Sequence, residues 1–266
     1  MKTLVTHNGI CHADEILATV ILGSMYDVDY KNVIRTRDNK VLSEYKDNPD
    51  VFIYDIGQGE YDHHYKDAYK IGDRILSSVG LVWHKMKYDI MLFFGLDETS
   101  WQNIDKTLIE PIDRSDNGGD LNPFNYVLNA YINGLGLRPI EFESLSQKQD
   151  WLFVQACLFC DILFTNIINM EVKATKERDV FSKLPTEIIN GKIMKIADRI
   201  YTIGRTFSGV DGIITYSNRS FKILMLNGGS VSKCGIQEGE IEGVKFTHVA
   251  GFCAECYTMD AVKLIL

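Results

Sequence analysis

The chain has 266 residues, 45% hydrophobic and 24% charged, a composition that suits one large folded domain or two modest ones and excludes disorder as the main state. Its net charge of −8, from 36 acidic and 28 basic residues, excludes a basic groove over the whole surface, so any contact with nucleic acid has to be local. No stretch of about 18 apolar residues runs without a charge, and the N-terminal apolar run breaks at His7, so neither a membrane span nor a secretory signal is expected. Cysteines 11, 157, 160, 234, 253 and 256 then read as reduced thiols, with the cytoplasm as the expected address.

In chain order, the apolar run TLVT leads through a glycine-containing loop into DEILATVILGSMY. There Asp14 is placed to cap a helix, and Ile16, Leu17, Val20 and Ile21 fall on one face. NVIRT and VFIYDIG read as the next strands, which gives the alternation of a parallel sheet with crossover helices. SSVGLVWHKM and the segment after Thr99 read as helices, the second ending near 113–119, and 147–183 reads as one or two more. Pro185 and Gly191 then punctuate the chain, and GIITYS and FKILMLN read as a hairpin. The fold expected is α/β, with a parallel sheet in residues 1–187 and a smaller α/β domain in 188–266. Residues 192–237 hold seven Lys or Arg against two Asp, the reverse of the overall sign.

Four of the six histidines fall in two clusters. His7, His12 and Asp14 sit on the turn after the first strand, and Asp62, His63 and His64 follow the strand that ends at Asp55. Ligands at the carboxyl ends of parallel strands converge in one crevice, and imidazole with carboxylate suits Mn, Zn or Fe. Asp113 and Asp116, in EPIDRSDNG, can deliver one more carboxylate. Ser77 and Ser78 begin a helix, where free N–H groups can hold an anion. Arg205, Arg219, Lys222 and Lys233 are candidate backbone-phosphate contacts. Two CxxC pairs are present, but the first lies in the apolar helical segment ACLFCDILF, and buried thiols explain it better than a four-cysteine zinc site.

HNGICHADE, IRTRD, YDIGQGEYDHH, LSSVGLVW and EPIDRSDNG resemble, in order and approximate spacing, the melanocyte-proliferating-gene (Myg) family, a branch of the DHH phosphoesterases. The resemblance covers about residues 3–120, and GIQ and FTHVAGF extend it into the second half. It implies a DHH-type catalytic domain with two divalent ions, most simply Mn²⁺, with Mg²⁺ or Zn²⁺ as substitutes. His7 and His12 would bind one ion and Asp14 and His63 the other. Asp55 would bridge both, and Asp113 would complete the second site, with Asp116 competing for that place. Asp62 and His64 would be the catalytic pair beside the metals, and His248 and Gly251 would line the far side of the cleft. Two ions about 3.5–4 Å apart acidify a water and stabilise phosphoryl charge. The expected function is a 3′–5′ exonuclease on single-stranded RNA or short oligonucleotides, without a membrane and with an oligomer open. A phosphohydrolase of pyrophosphate or a nucleotide, or a metal-binding regulatory protein without turnover, is the alternative.

Overall fold

The first apolar run forms β1 (Thr3–Thr6), which pairs in parallel with β2 (Ile34–Arg35) and β3 (Val51–Ile53) in the order β2-β1-β3. The computed structural model describes residues 2–65, 68–119, 122–199, 209–217 and 219–266. Parallel neighbours need crossover connections, which α1 (Ala13–Tyr26) and α2 (Asn39–Tyr45) supply. The α1 positions expected on one face are buried, and so are Ala18, Thr19 and Leu22 between them. This is a helix buried all round rather than an amphipathic one. Its cap is His12 and not Asp14: Asp14 lies inside the first turn, and Glu15 accepts the His12 N–H to close a capping box.

A short antiparallel pair follows, β4 (Lys70–Ile71) with β5 (Arg74–Ile75). Then come α3 (Ser78–Lys85), α4 (Lys87–Phe94) and α5 (Glu98–Ile104). A π-helical turn, Asp105–Ile109, joins α5 to α6 (Glu110–Asp116) without a break in the helical path. After α7 (Pro123–Gly136), the long apolar segment forms a single helix, α8 (Leu145–Ser182). By length and composition α8 could cross a membrane, contrary to the expectation from the sequence, because residues 151–168 carry only one charge, Asp161. Its Phe153, Ala156, Cys157, Cys160 and Phe164 are buried in the same core as Leu4, Ile16 and Trp83.

The chain divides into two compact units, Met1–Val172 and Lys173–Leu266. The division falls inside α8, ahead of the boundary expected at 187. Pro185 and Gly191 mark where the helix stops, but the change of core comes earlier, since Ala174 and Phe181 pack with Val210, Ile213 and Leu226. The second unit is built on β6 (Thr186–Ile189), β7 (Lys192–Ala197), β8 (Gly212–Ser217), β9 (Ser220–Met225), β10 (Val244–Thr247) and β11 (Cys253–Cys256). They form one sheet in the order β10-β11-β9-β8-β7-β6, in which only β7 and β8 run parallel, and α9 (Met259–Ile265) packs on it. The expected hairpin is β8 with β9.

Trp83 is fully buried, stacked on Trp101 at 5.7 Å and edge-on to Phe164 at 6.4 Å. We expect Trp83→Ala to lower the unfolding free energy of the first unit by ~3–5 kcal/mol, read from urea denaturation. Trp83→Phe costs much less, because the indole N–H has no partner among the described residues. Equal losses for the two variants would contradict this account.

Candidate metal centre

The polar loops after β1 and β3 end in one place. His7 closes β1 with its ring buried, and its Nε2 lies 3.0 Å from Asp55 Oδ2 and 3.4 Å from Glu15 Oε1. His63 Nε2 lies 3.2 Å from Asp55 Oδ1, 3.2 Å from Asp116 Oδ2 and 3.9 Å from Asp14 Oδ2. His12, on the exposed rim, brings a ligand atom within 4.8 Å of those of His7 and Glu15, and also of Asp14 and Asp116. Asp55 touches both halves of the cluster, as a bridging residue must.

The backbone at this point is unusual. Asp55 has φ 57°, the left-handed region that Asp and Asn tolerate better than other residues. Such a conformation costs about 1–3 kcal/mol and persists where surrounding structure over-determines it. Here the Asp55 N–H donates to Tyr61 O at 3.0 Å, and Tyr54 bridges Tyr61, so the loop is closed at its neck. The other loop is tied down by the two arginines of IRTRD. Arg35 donates to Gly9 O at 2.9 Å and Asp150 at 2.8 Å, and Arg37 donates to Asn8 O at 3.3 Å.

Three carboxylates, Asp14, Glu15 and Asp55, are buried, and Asp116 is partly buried. Burial and the neighbouring carboxylates raise Asp14 and Glu15, and burial with Asp14 pushes Asp116 up to about 7. Asp55 goes the other way: burial opposes it, but the His63 and His7 imidazoles hold it down to about 2. His63 rises to about 9, because Asp55, Asp14 and Asp116 outweigh its burial. Asp14 Oδ1 is buried with no hydrogen-bond partner among the described residues. Asp55 Oδ1 meets only the imidazoles of His63 and His64, at 3.2 and 3.6 Å and outside hydrogen-bonding geometry. Buried carboxylates crowded together, with oxygens that have no hydrogen-bond partner among the described residues, fit divalent cations, and the imidazole–carboxylate donor set is chemically suited to them.

Several expected site residues take other places. Asp113 is fully buried and saturated, accepting from Arg74 Nε at 2.6 Å, Ser77 N at 2.9 Å and Ser77 Oγ at 2.6 Å. Arg74 Nη2 approaches the same carboxylate at 2.6 Å, and it is Asp116, 3.2 Å from His63 Nε2, that faces the cluster. Arg74 also donates to Asp105, which in turn meets His84 at 2.9 Å. Gly80 makes this possible, since a Cβ there would overlap the Asp113 carboxylate. Ser77 and Ser78 do not face an anion from solvent. Both are buried, and Ser78 donates through Oγ to Asp14 Oδ2 at 2.8 Å, the oxygen that also lies 3.9 Å from His63 Nε2. Asp62 stands one layer back, accepting from Gln58 N at 2.6 Å and His64 Nδ1 at 2.8 Å. Glu15 is the residue that sequence reasoning missed: with the cap expected at Asp14, nothing in the sequence singled out the carboxylate next to it, which the structure places beside His7.

Arg219, Lys222, His248 and Gly251 belong to the second unit. Arg219 sits in the β8–β9 turn at φ 66°, and Lys222 is exposed on β9. His248 Nδ1 accepts from Ala250 N at 3.0 Å and its ring meets Phe252, while Gly251 has φ 69° and packs against Cys234. The last two shape a turn. Arg205 lies outside the described residues. All six cysteines are free, and the two CxxC pairs lie in different units, on α8 and β11.

A family profile, MYG1_exonuc, described as an uncharacterised protein family (UPF0160), matches residues 3–201. The MYG1 protein of Chlamydia pneumoniae is 34% identical over 118 residues, 44% of this chain and 38% of that protein. The MYG1 protein of Dictyostelium discoideum is 29% identical over 134 residues, 46% of this chain and 40% of that one. The matched stretch spans about two fifths of these relatives' length. A solved pGpG-specific phosphodiesterase from Vibrio cholerae aligns with 99% of this chain and 95% of its own, at 16% identity and a TM-score of 0.33, too loosely to bear on the site.

With no metal bound, His63 stays protonated at neutral pH, so a cation has to displace that proton. Apparent metal affinity should therefore fall by about tenfold per pH unit from 9 to about 7, more steeply below that as Asp116 also takes up a proton, and level off above 9. Calorimetry in buffers of different ionisation enthalpy should show proton release on binding at pH 7.5. Binding without proton release would remove His63 from the ligand set.

Proposed function

The chain belongs to the MYG1 family, and from that premise we propose that it is a metal-dependent phosphodiesterase that removes nucleotides from the 3′ end of RNA or short oligonucleotides. The convergence of His7, Asp14, Asp55, His63 and Asp116 around unpartnered buried oxygens carries this reading. Together with His12 they would hold two divalent ions, with Mn²⁺ the best fit to a mixed imidazole–carboxylate set. Such ions supply positive charge for phosphoryl oxygens and an acidified water for attack.

The chain's own groups supply the rest. Ser78 orients Asp14, and the Arg74–Asp113–Ser77 network fixes the start of α3 that carries Ser78. Asp62 Oδ1 already accepts the His64 N–H at 3.1 Å, so it takes the Nδ1 proton as well. That leaves His64 Nε2, on a ring 60% exposed, to hold or deliver a proton at a phosphate or leaving oxygen. Arg219, Lys222 and Lys233 are our candidates for phosphates farther along the strand.

Purified protein with Mn²⁺, given labelled single-stranded RNA, dinucleotides and pyrophosphate in parallel, tests the reading. Release of 5′-mononucleotides one at a time is expected, and normal activity in EDTA would overturn it. Asp55→Asn tolerates the left-handed backbone and should lose metal and turnover together. His64→Ala should keep its metal and lose about 10–100-fold in rate, the usual effect of residues just outside the ligands. A metal-depleted His64 variant would make it a ligand.

Binding of an oligonucleotide should also weaken with salt, by a log–log slope of about 0.7 per phosphate contact. Neutralising Arg219 and Lys222 together should raise KM and make that slope shallower. An unchanged KM would favour a small phosphate ester as the substrate.

A further inference from the structure

His12 and Asp116 serve two surroundings. Besides facing the cluster, they line a cleft of about 280 Å³ with Ala13, Ser115, Asn125 and Asn129. Asn125 and Asn129 stand four residues apart on α7 and so share a face. The Asn125 backbone is fixed by Asn122 Oδ1 at 2.9 Å, and its amide donates to Ser115 Oγ at 3.1 Å. Its Oδ1 is buried and has no partner among the described residues. A buried polar atom left this way is costly, so it marks a place that a ligand group would complete.

The chemistry of the lining says which group. Among the described residues no Lys or Arg lines the cleft, and Asp116 is acidic, so a phosphate is a poor occupant. Two amides and a hydroxyl, able both to donate and to accept, match a neutral polyhydroxyl group. The volume lies just below the ~300–1,000 Å³ of drug-sized ligand pockets, which suits one sugar ring better than a whole nucleotide. The cleft also shares two residues with the centre where the scissile phosphate would sit.

We propose that this cleft holds the ribose of the terminal nucleotide, with the amides of Asn125 and Asn129 hydrogen-bonded to its 2′- and 3′-hydroxyls. The placement of the sugar beside the reacting phosphate rests on the phosphodiesterase reading of the metal centre. The consequence is preference for RNA, because the 2′-hydroxyl is the group that separates it from DNA.

Side-chain amide resonances of Asn125 and Asn129, followed by NMR in the full chain with Mg²⁺, test the site directly. Adenosine 5′-monophosphate should shift both, and its 2′-deoxy analogue should bind about 2–12-fold more weakly, the worth of one neutral hydrogen bond. Asn129→Ala, an exposed change that spares the core, should bring the two affinities together. Equal affinities in the unsubstituted protein, or shifts that miss both amides, would overturn the proposal. Turnover of an RNA dinucleotide with Mn²⁺ reports on the other reading. Discrimination in binding without turnover removes the hydrolase and keeps the sugar site; turnover without discrimination does the reverse.

Discussion

Negative charge gathered inside the first unit is the constraint to which everything around it answers. Asp14, Glu15 and Asp55 bring oxygens within 4.8 Å of one another in a buried space. At an effective dielectric constant near 20, one such pair of charges repels by on the order of 3 kcal/mol. In the protein without metal this repulsion shows as Asp14 and Glu15 raised above the ordinary carboxylate range and as a proton held on His63. Cations relieve it more completely. Strand ends, helix cap and loop ties all serve to hold the repelling groups in place.

A second layer does the holding, and it is made of the same residue types. Asp113, Asp105, Arg74 and His84 form a paired network in which each charge has its partner. Ser77 and Ser78 stand between the layers, one donating to Asp113 and the next to Asp14. Two adjacent serines at the head of α3 thus fix one carboxylate that is fully paired and one that keeps an unpartnered oxygen. The contrast between saturated Asp113 and unsaturated Asp14 distinguishes scaffold from site.

Much of this was legible in the sequence. Strand–helix–strand order followed from apolar runs and polar turns, and His7, His12, Asp14, Asp55 and His63 announced themselves by clustering at strand ends. The choice between Asp113 and Asp116 was not legible. Three residues apart on one helix they look equivalent, and the decision is made by Arg74 and Ser77, which lie far away in the chain. The serines misled for a related reason, since an N-terminal Ser reads alike whether it faces solvent or a buried carboxylate. The division between the units was hidden because the helix runs through it, and punctuation marks helix ends rather than changes of core.

The π-helical turn at Asp105–Ile109 has a bearing on how this site can change over generations. Such a turn accommodates one residue more than an α-helical turn and rotates the helix beyond it by about 100°. That rotation sets the face of α6 as a whole, and with it the approach of Asp113 to Arg74 and of Asp116 to His63. Deleting Thr107 from the turn would leave net charge and every ligand type intact while swinging α6 onto a different face. Heredity here has to preserve a count as well as a set of side chains. A lineage could lose the centre through a codon whose product touches none of it.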